Sequence, residues 1–167
     1  MGWLADYKAD VRRFTGGPER WQHPVGALLR QQGLWAMLQY RVAHEARRRG
    51  APRPVMGALY AWKKAVEMTT GISIHSSADI GPGAQLIHFG NVFVAPNTVI
   101  GEGVTIMQGV TIGVQVLADR KAPVLGNGVF VGPNAVVVGD IEVGDGARIS
   151  ALTYVDDDIP AGVTVHD

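Results

Sequence analysis

From position 74 onward an aliphatic residue recurs at almost every sixth position. The runs are Ile74, Ile80, Leu86; then Val94, Ile100, Ile106, Ile112; then Leu125, Val131, Val137, Val143, Ile149, Val155. A period of six fits neither the 3.6 of a helix nor the simple alternation of a half-buried strand. Short fixed periods mark repeat architectures, and hexapeptides mark a parallel β-helix. Each hexad supplies a short strand and a corner, and its aliphatic residue points inward. β-Branched Val and Ile suit that pleated, buried surface. No single coil buries its own apolar residue, so coils must stack.

A slower repeat lies over the hexads. Ile80-Gly81-Pro82-Gly83, Ile100-Gly101-Glu102-Gly103, Leu125-Gly126-Asn127-Gly128 and Val143-Gly144-Asp145-Gly146 are one tetrad written four times, with starts 20, 25 and 18 residues apart. With 18 as one turn, the first gap carries two extra residues and the second seven. Glycine gives such corners their backbone freedom. Residues 71–167 therefore form the β-helix, with a loop at 114–123.

Residues 1–70 read as helices. Leu4, Tyr7, Val11 and Phe14 share one helical face, which Gly16-Gly17-Pro18 ends. Leu34, Leu38 and Val42 make a second, between His23-Pro24 and Gly50. Val55, Leu59, Trp62 and Val66 make a third, ending before Gly71. The expected role is a cap on the open end of the β-helix and an oligomer contact, since a bare solenoid end exposes strand edges.

The 167 residues are 47% hydrophobic, ample for a core, and include no cysteine. That removes disulfides, thiolate metal sites and a cysteine nucleophile, and suits a cytoplasmic protein. Met1-Gly-Trp-Leu-Ala-Asp does not read as a signal peptide, and no 18-residue apolar stretch predicts a spanning helix. The net charge of zero hides an asymmetry. Residues 1–70 hold 12 Lys+Arg against 5 Asp+Glu, a net of +7; residues 71–167 hold 3 against 10, a net of −7. Either the two parts, or symmetry mates, pack with matched charge, or an anionic partner such as a membrane surface meets Arg47-Arg48-Arg49 and Arg53. No basic stripe is interleaved with aromatics, so nucleic acid is not expected.

The interruptions are where chemistry is expected. The two-residue step in Leu86-Ile87-His88-Phe89-Gly90-Asn91 pushes His88 outward. His88 is either a solvated loop histidine or a general base, for which imidazole is well suited near neutral pH. The longer insertion presents Arg120 and Lys121, two of the three cations after residue 70. They serve either solubility or contact with an anion such as a phosphate. Of the other histidines, His23 reads as a helix-entry residue, His44 as a helix-surface residue, and His75 as the rival to His88.

These segments resemble a known family. Thr70-Gly71-Ile72-Ser73-Ile74-His75, Ile80-Gly81-Pro82-Gly83, Leu86-Ile87-His88-Phe89-Gly90, Ile106-Met107-Gln108-Gly109-Val110-Thr111-Ile112-Gly113 and Asp140-Ile141-Glu142-Val143-Gly144-Asp145-Gly146-Ala147 are similar to the serine O-acetyltransferases. The short relatives in polysaccharide and secondary-metabolite pathways look closest. The resemblance covers residues 70 to about 160; the front helices fit loosely.

It implies N-terminal helices followed by a left-handed parallel β-helix, a homotrimer or dimer of trimers with sites between subunits, and acetyl transfer from acetyl-CoA to a hydroxyl. No metal is expected. His88 takes the catalytic position. Gln108, Gly113, Pro133, Arg148, Ser150 and Ala151 match the CoA groove, and Ser73, His75, Ile87, Arg120 and Lys121 the acceptor side. Ser73 stands where the serine enzymes have an aspartate orienting the histidine. Ile87 replaces an aspartate that helps hold serine. Arg120-Lys121-Ala122-Pro123 replaces Arg-His-Pro, and the sequence stops at Val165-His166-Asp167, short of the family's usual Val-Gly-Val-Pro-Ala tail. The acceptor is therefore open between serine, another amino acid and a sugar or natural-product hydroxyl. Two other classes are an inactive β-helix scaffold and a zinc enzyme like the γ-type carbonic anhydrases, for which the coils offer only His75 and His88, with His166 at the tail.

Overall fold

Each hexad becomes a strand of two or three residues with an aliphatic side chain turned inward. The computed structural model describes residues 2–15, 31–88, 90–114 and 121–166. Sheet 1 holds β1 (Ile72–Ile74), β4 (Val92–Val94), β7 (Thr111–Gly113), β10 (Val136–Val138) and β13 (Tyr154–Val155). Sheet 2 holds β2 (Asp79–Ile80), β5 (Val99–Ile100), β8 (Val124–Leu125) and β11 (Glu142–Val143). Sheet 3 holds β3 (Gln85–Leu86), β6 (Thr105–Ile106), β9 (Phe130–Val131), β12 (Arg148–Ile149) and β14 (Thr164–Val165). All neighbours are parallel, so successive strands pass from sheet 1 to 2 to 3 and back. The result is a three-sided prism of four full turns and a final partial one.

All thirteen aliphatic hexad residues are buried, none more than 5% exposed. The register locates the insertions. Ile80 pairs with Ile100 and Leu86 with Ile106, twenty apart, whereas Val94 pairs with Ile112, eighteen apart. The two extra residues thus lie between Leu86 and Val94. The seven lie between Ile112 and Leu125, because Ile100 pairs with Leu125 but Leu125 with Val143. The hexad count stops at Val155, yet the structure continues. Ile159 bridges Val143, and Val165 pairs with Ile149. The Asp156–Asp158 corner is two residues short, which hides this turn from a strict period of six.

The repeated tetrads form the corner between sheets 2 and 3, and their two glycines serve different needs. A Cβ on Gly101 would lie 2.6 Å from the Gly126 carbonyl carbon in the next turn. Gly103 instead needs its left-handed backbone, with φ of +65°.

Three helices precede the prism: α1 (Trp3–Thr15), α2 (Gln32–Arg48) and α3 (Arg53–Thr70). α3 ends at Gly71, whose left-handed conformation lets its N–H reach the Glu67 carbonyl at 2.8 Å. Their faces differ from the sequence reading. In α1, Leu4 is exposed and the buried residue is Asp10. In α3, Val55 and Trp62 are exposed and Met68 is 83% exposed, so only Val66 and Thr70 are buried. In α2, Leu34 is buried but Leu38 and Val42 are only half-buried; the buried face runs instead through Gly33, Met37, Tyr40 and Arg41.

The first turn has no strand above it, and side chains close its open polar edge. Tyr40 Oη donates to Ala78 O at 2.9 Å and accepts from Ile80 N at 3.0 Å. Arg41 donates to Ile80 O and Gly81 O, and Arg13 to Gly83 O and Thr105 Oγ1. Asp10 accepts from Ala84 N at 3.0 Å and from Arg41 at 3.0 and 3.1 Å. Burial pushes the Asp10 carboxyl above its usual range, against the pull of Arg41 and the Ala84 and Gly83 amides. An unfilled sheet edge would cost a desolvation penalty for each orphaned group.

Candidate active site

His88 sits on the corner between sheets 3 and 1, at the head of the prism. The extra residues hold it at φ +69°, a left-handed conformation uncommon for a side-chain-bearing residue, with the ring exposed. The corner is pinned from both sides. Gly90 N donates to Thr70 O and Gly109 N donates to Gly90 O, each at 3.1 Å. A Cβ on Gly71 would lie 3.0 Å from Gly90 Cα and Asn91 N, so the end of α3 rests directly on this step.

Below His88 the same corner recurs in each turn. Gln108 lies on the second, Pro133 on the third, and Ser150 and Ala151 on the fourth. Gln108 O accepts from Asn134 N and Pro133 O from Leu152 N, which stacks these corners in register. At about 4.8 Å per strand spacing, the column spans roughly 14 Å. Gln108 Oε1 is buried with no hydrogen-bond partner among the described residues. Ser150 Oγ lies 2.7 Å from His166 Nδ1. Arg148 faces outward from sheet 3, its guanidinium 4.6 Å over the Phe130 ring. Gly113 closes β7 at the far side of sheet 1, where a Cβ would press on Ala95 Cβ at 3.2 Å.

The residues expected on the acceptor side divide between two corners. Ile87 precedes His88, and Ser73 lies on β1 in the adjoining sheet. His75 and Lys121 lie instead at the corner between sheets 1 and 2. Lys121 Nζ is 2.6 Å from Asp140 Oδ2, in an exposed pair. Arg120 lies outside the described residues. Within one chain, then, sheet 1 separates His88 from Lys121. His75 Nδ1 accepts from the Ser77 backbone N–H at 3.1 Å and lies 2.8 Å from Ser77 Oγ. Burial, then the charges of Lys63 and Arg47, hold its pKa below the ordinary value. His75 follows the end of β1, whereas His88 lies in the corner before β4, and among the described residues no group of three or more His, Cys, Asp or Glu is placed to hold a metal ion.

One neighbour of Ser73 escapes a reading by motif. Ser73 Oγ donates to Glu67 Oε1 at 2.6 Å. Glu67 also takes Lys64 at 2.7 Å and Lys63 at 3.3 Å. Burial raises its pKa, but the hydrogen bonds from Lys64 and Ser73 and the charge of Lys63 outweigh it and hold the carboxyl low. A carboxylate thus stands behind the serine at the position where the resemblance implies an aspartate. The sequence signal was the helix stop at Thr70-Gly71, which places Glu67 in the last turn of α3, facing the strand that follows.

The fold and this corner column define a class, the hexapeptide-repeat transferases built on a left-handed β-helix. Residues 122–157 match the family model described as bacterial transferase hexapeptide, six repeats. The chain is 39% identical over 138 residues to a serine acetyltransferase of Helicobacter pylori, covering 82% of this chain and 78% of that protein. It belongs to the serine acetyltransferase family. Serine acetyltransferase 4 of Arabidopsis thaliana is 32% identical over 162 residues, 96% of this chain and 44% of the plant protein. The crystal structure of Neisseria gonorrhoeae serine acetyltransferase in complex with serine superposes with a TM-score of 0.86 at 26% identity, over 99% of this chain and 66% of that one. Among the described residues no helix is long and apolar enough to cross a membrane.

Proposed function

We propose that this chain moves the acetyl group of acetyl-CoA to the hydroxyl of a small acceptor, with His88 as general base. The observation that carries this is the outward step at His88 above a stacked column of corners. His88 accepts the hydroxyl proton as the oxygen attacks the thioester carbonyl. The C–S bond then breaks, and the imidazolium returns its proton to the leaving sulfur, giving an acetyl ester and free CoA thiol. Backbone N–H groups at the corner stabilise the oxyanion, a contribution of about 3–4 kcal/mol per donor in other enzymes.

The column beneath takes the extended CoA arm. Its orphaned acceptor, Gln108 Oε1, suits an amide N–H of that arm, since a buried carbonyl oxygen without a donor is costly. Arg148 reaches a CoA phosphate. Glu67 acts through Ser73 as the anionic support that a developing imidazolium needs. His88 and the Lys121 corner meet across neighbouring subunits of a trimer, with the exposed α3 face at a further contact. Acetyl-CoA places the work in the cytoplasm.

L-Serine is the favoured acceptor, supported by the serine-bound gonococcal relative. A sugar or natural-product hydroxyl is the second reading, favoured by Ile87, which offers a substrate amino group no charge. Thiol release from acetyl-CoA, measured with serine, homoserine and a set of sugars, separates them. Serine turnover at ordinary enzyme rates supports the first. No thiol release with any acceptor, together with no CoA binding, returns the chain to an inactive scaffold.

A further inference from the structure

α2, α3 and the end of β1 enclose a cavity of about 260 Å³. It lies away from the His88 corner. That corner rests on Gly71 at the start of β1, whereas the cavity is lined by Ile74 and His75 at its end, about 13 Å further on at strand rise. Its apolar wall is Met56, Leu59 and Ile74, and its charged rim is Arg47 and Lys63, with His75 beside them.

The charges at this rim do not cancel. Of the three consecutive arginines, Arg48 and Arg49 both pair with Glu45, at 2.9 and 2.6 Å. Arg47 makes no ion pair among the described residues and lines the cavity instead. The single charge of Glu67 is divided between Lys63 and Lys64. Arg47, Lys63 and Lys64 against Glu67 leave a surplus of two positive charges. His75 adds no compensating charge. Its Nδ1 accepts the Ser77 N–H, so the neutral ring carries its proton on Nε2 as a further donor.

We propose that this cavity binds a small organic monoanion, with its carboxylate between Arg47 and Lys63 and a short apolar body against Met56, Leu59 and Ile74. Charge-assisted hydrogen bonds to a carboxylate suit both cations. The volume is below that of drug-sized pockets, which selects a ligand of few carbons. Because Lys63 is shared with Glu67, an occupant competes for the lysine that helps hold the carboxylate behind Ser73.

Isothermal titration of the full chain with sodium hexanoate tests this, with 1-hexanol as the uncharged control. One saturable hexanoate site per chain is expected, with hexanol at least tenfold weaker. Arg47→Gln and Lys63→Gln should each weaken hexanoate at least tenfold, and both keep a good helix former in a helix. The site should persist with acetyl-CoA bound and in His88→Ala, which separates it from the catalytic reading. Absence of hexanoate binding, equal binding of hexanol, or unchanged affinity in both variants overturns the proposal.

Discussion

The hydroxyl of Ser73 donates to Glu67 Oε1 across 2.6 Å, tying the last turn of α3 to the first strand of the prism. The same helix end carries the His88 corner through Thr70 O and Gly90 N. A carboxylate and a hydroxyl therefore meet at the junction that also carries the backbone of the His88 corner. Glu67→Gln removes the charge and keeps the shape. We expect kcat to fall about tenfold or more, as for other residues that orient a reacting group. The acidic limb of the pH–rate profile should also move to lower pH. A merely structural glutamate would lower the melting temperature and leave that profile in place.

Asp10 and Arg41 form a buried pair that also fills the open edge of the first turn. Arg41→Met strands a buried carboxyl and two carbonyls, Ile80 O and Gly81 O. Breaking such a pair costs about 3–5 kcal/mol. A drop in melting temperature of roughly 10 °C is expected, and calorimetry or circular dichroism reads it directly.

Two glycines should respond in opposite directions. Gly57 lies in α3 with open space around its Cα, so Gly57→Ala should stabilise by about 0.5–1 kcal/mol. Gly101→Ala presses a methyl against the backbone of the next turn and should destabilise by about 1–3 kcal/mol. Paired urea titrations decide both.

His75 gives the fold an acid sensitivity of definite sign. Its folded-state pKa lies below its unfolded one, through burial and then Lys63 and Arg47. The unfolded chain therefore binds the proton more readily. This contribution to stability is complete above about pH 6.5 and declines as the pH falls from there to the folded value. His75→Gln should flatten the dependence of the urea midpoint between pH 7.5 and 5.5; an unchanged slope would show that His75 is not its source.

The prism was legible because stacking leaves one inward position per hexad, and the aliphatic residues from Ile74 to Val155 report it on both sides of each insertion. Counting against that ruler located both insertions to within their corners. The cap was less legible. A search for apolar stripes finds Leu4 and Val55, which are exposed, and passes over Asp10 and Arg41, whose burial is stabilised by each other and by strand-edge backbone. Glu67 was hidden for a different reason. Its meeting with Ser73 depends on how the backbone turns at Gly71; the helix stop there marks Glu67 as a last-turn residue but does not name its partner. The orphaned Gln108 Oε1 likewise appears only when the corners are stacked.

His88 is proposed to remove the acceptor proton. The direct measurement is thiol release from acetyl-CoA by His88→Ala beside the parent chain, with the parent's preferred acceptor from the panel. His88 is exposed on a corner, so the variant should keep the parent's circular dichroism and melting temperature. A general base is worth typically 10²–10⁴-fold, and a loss of that size in kcat is the expected result. A variant that retains parental turnover would rule out His88 as the general base.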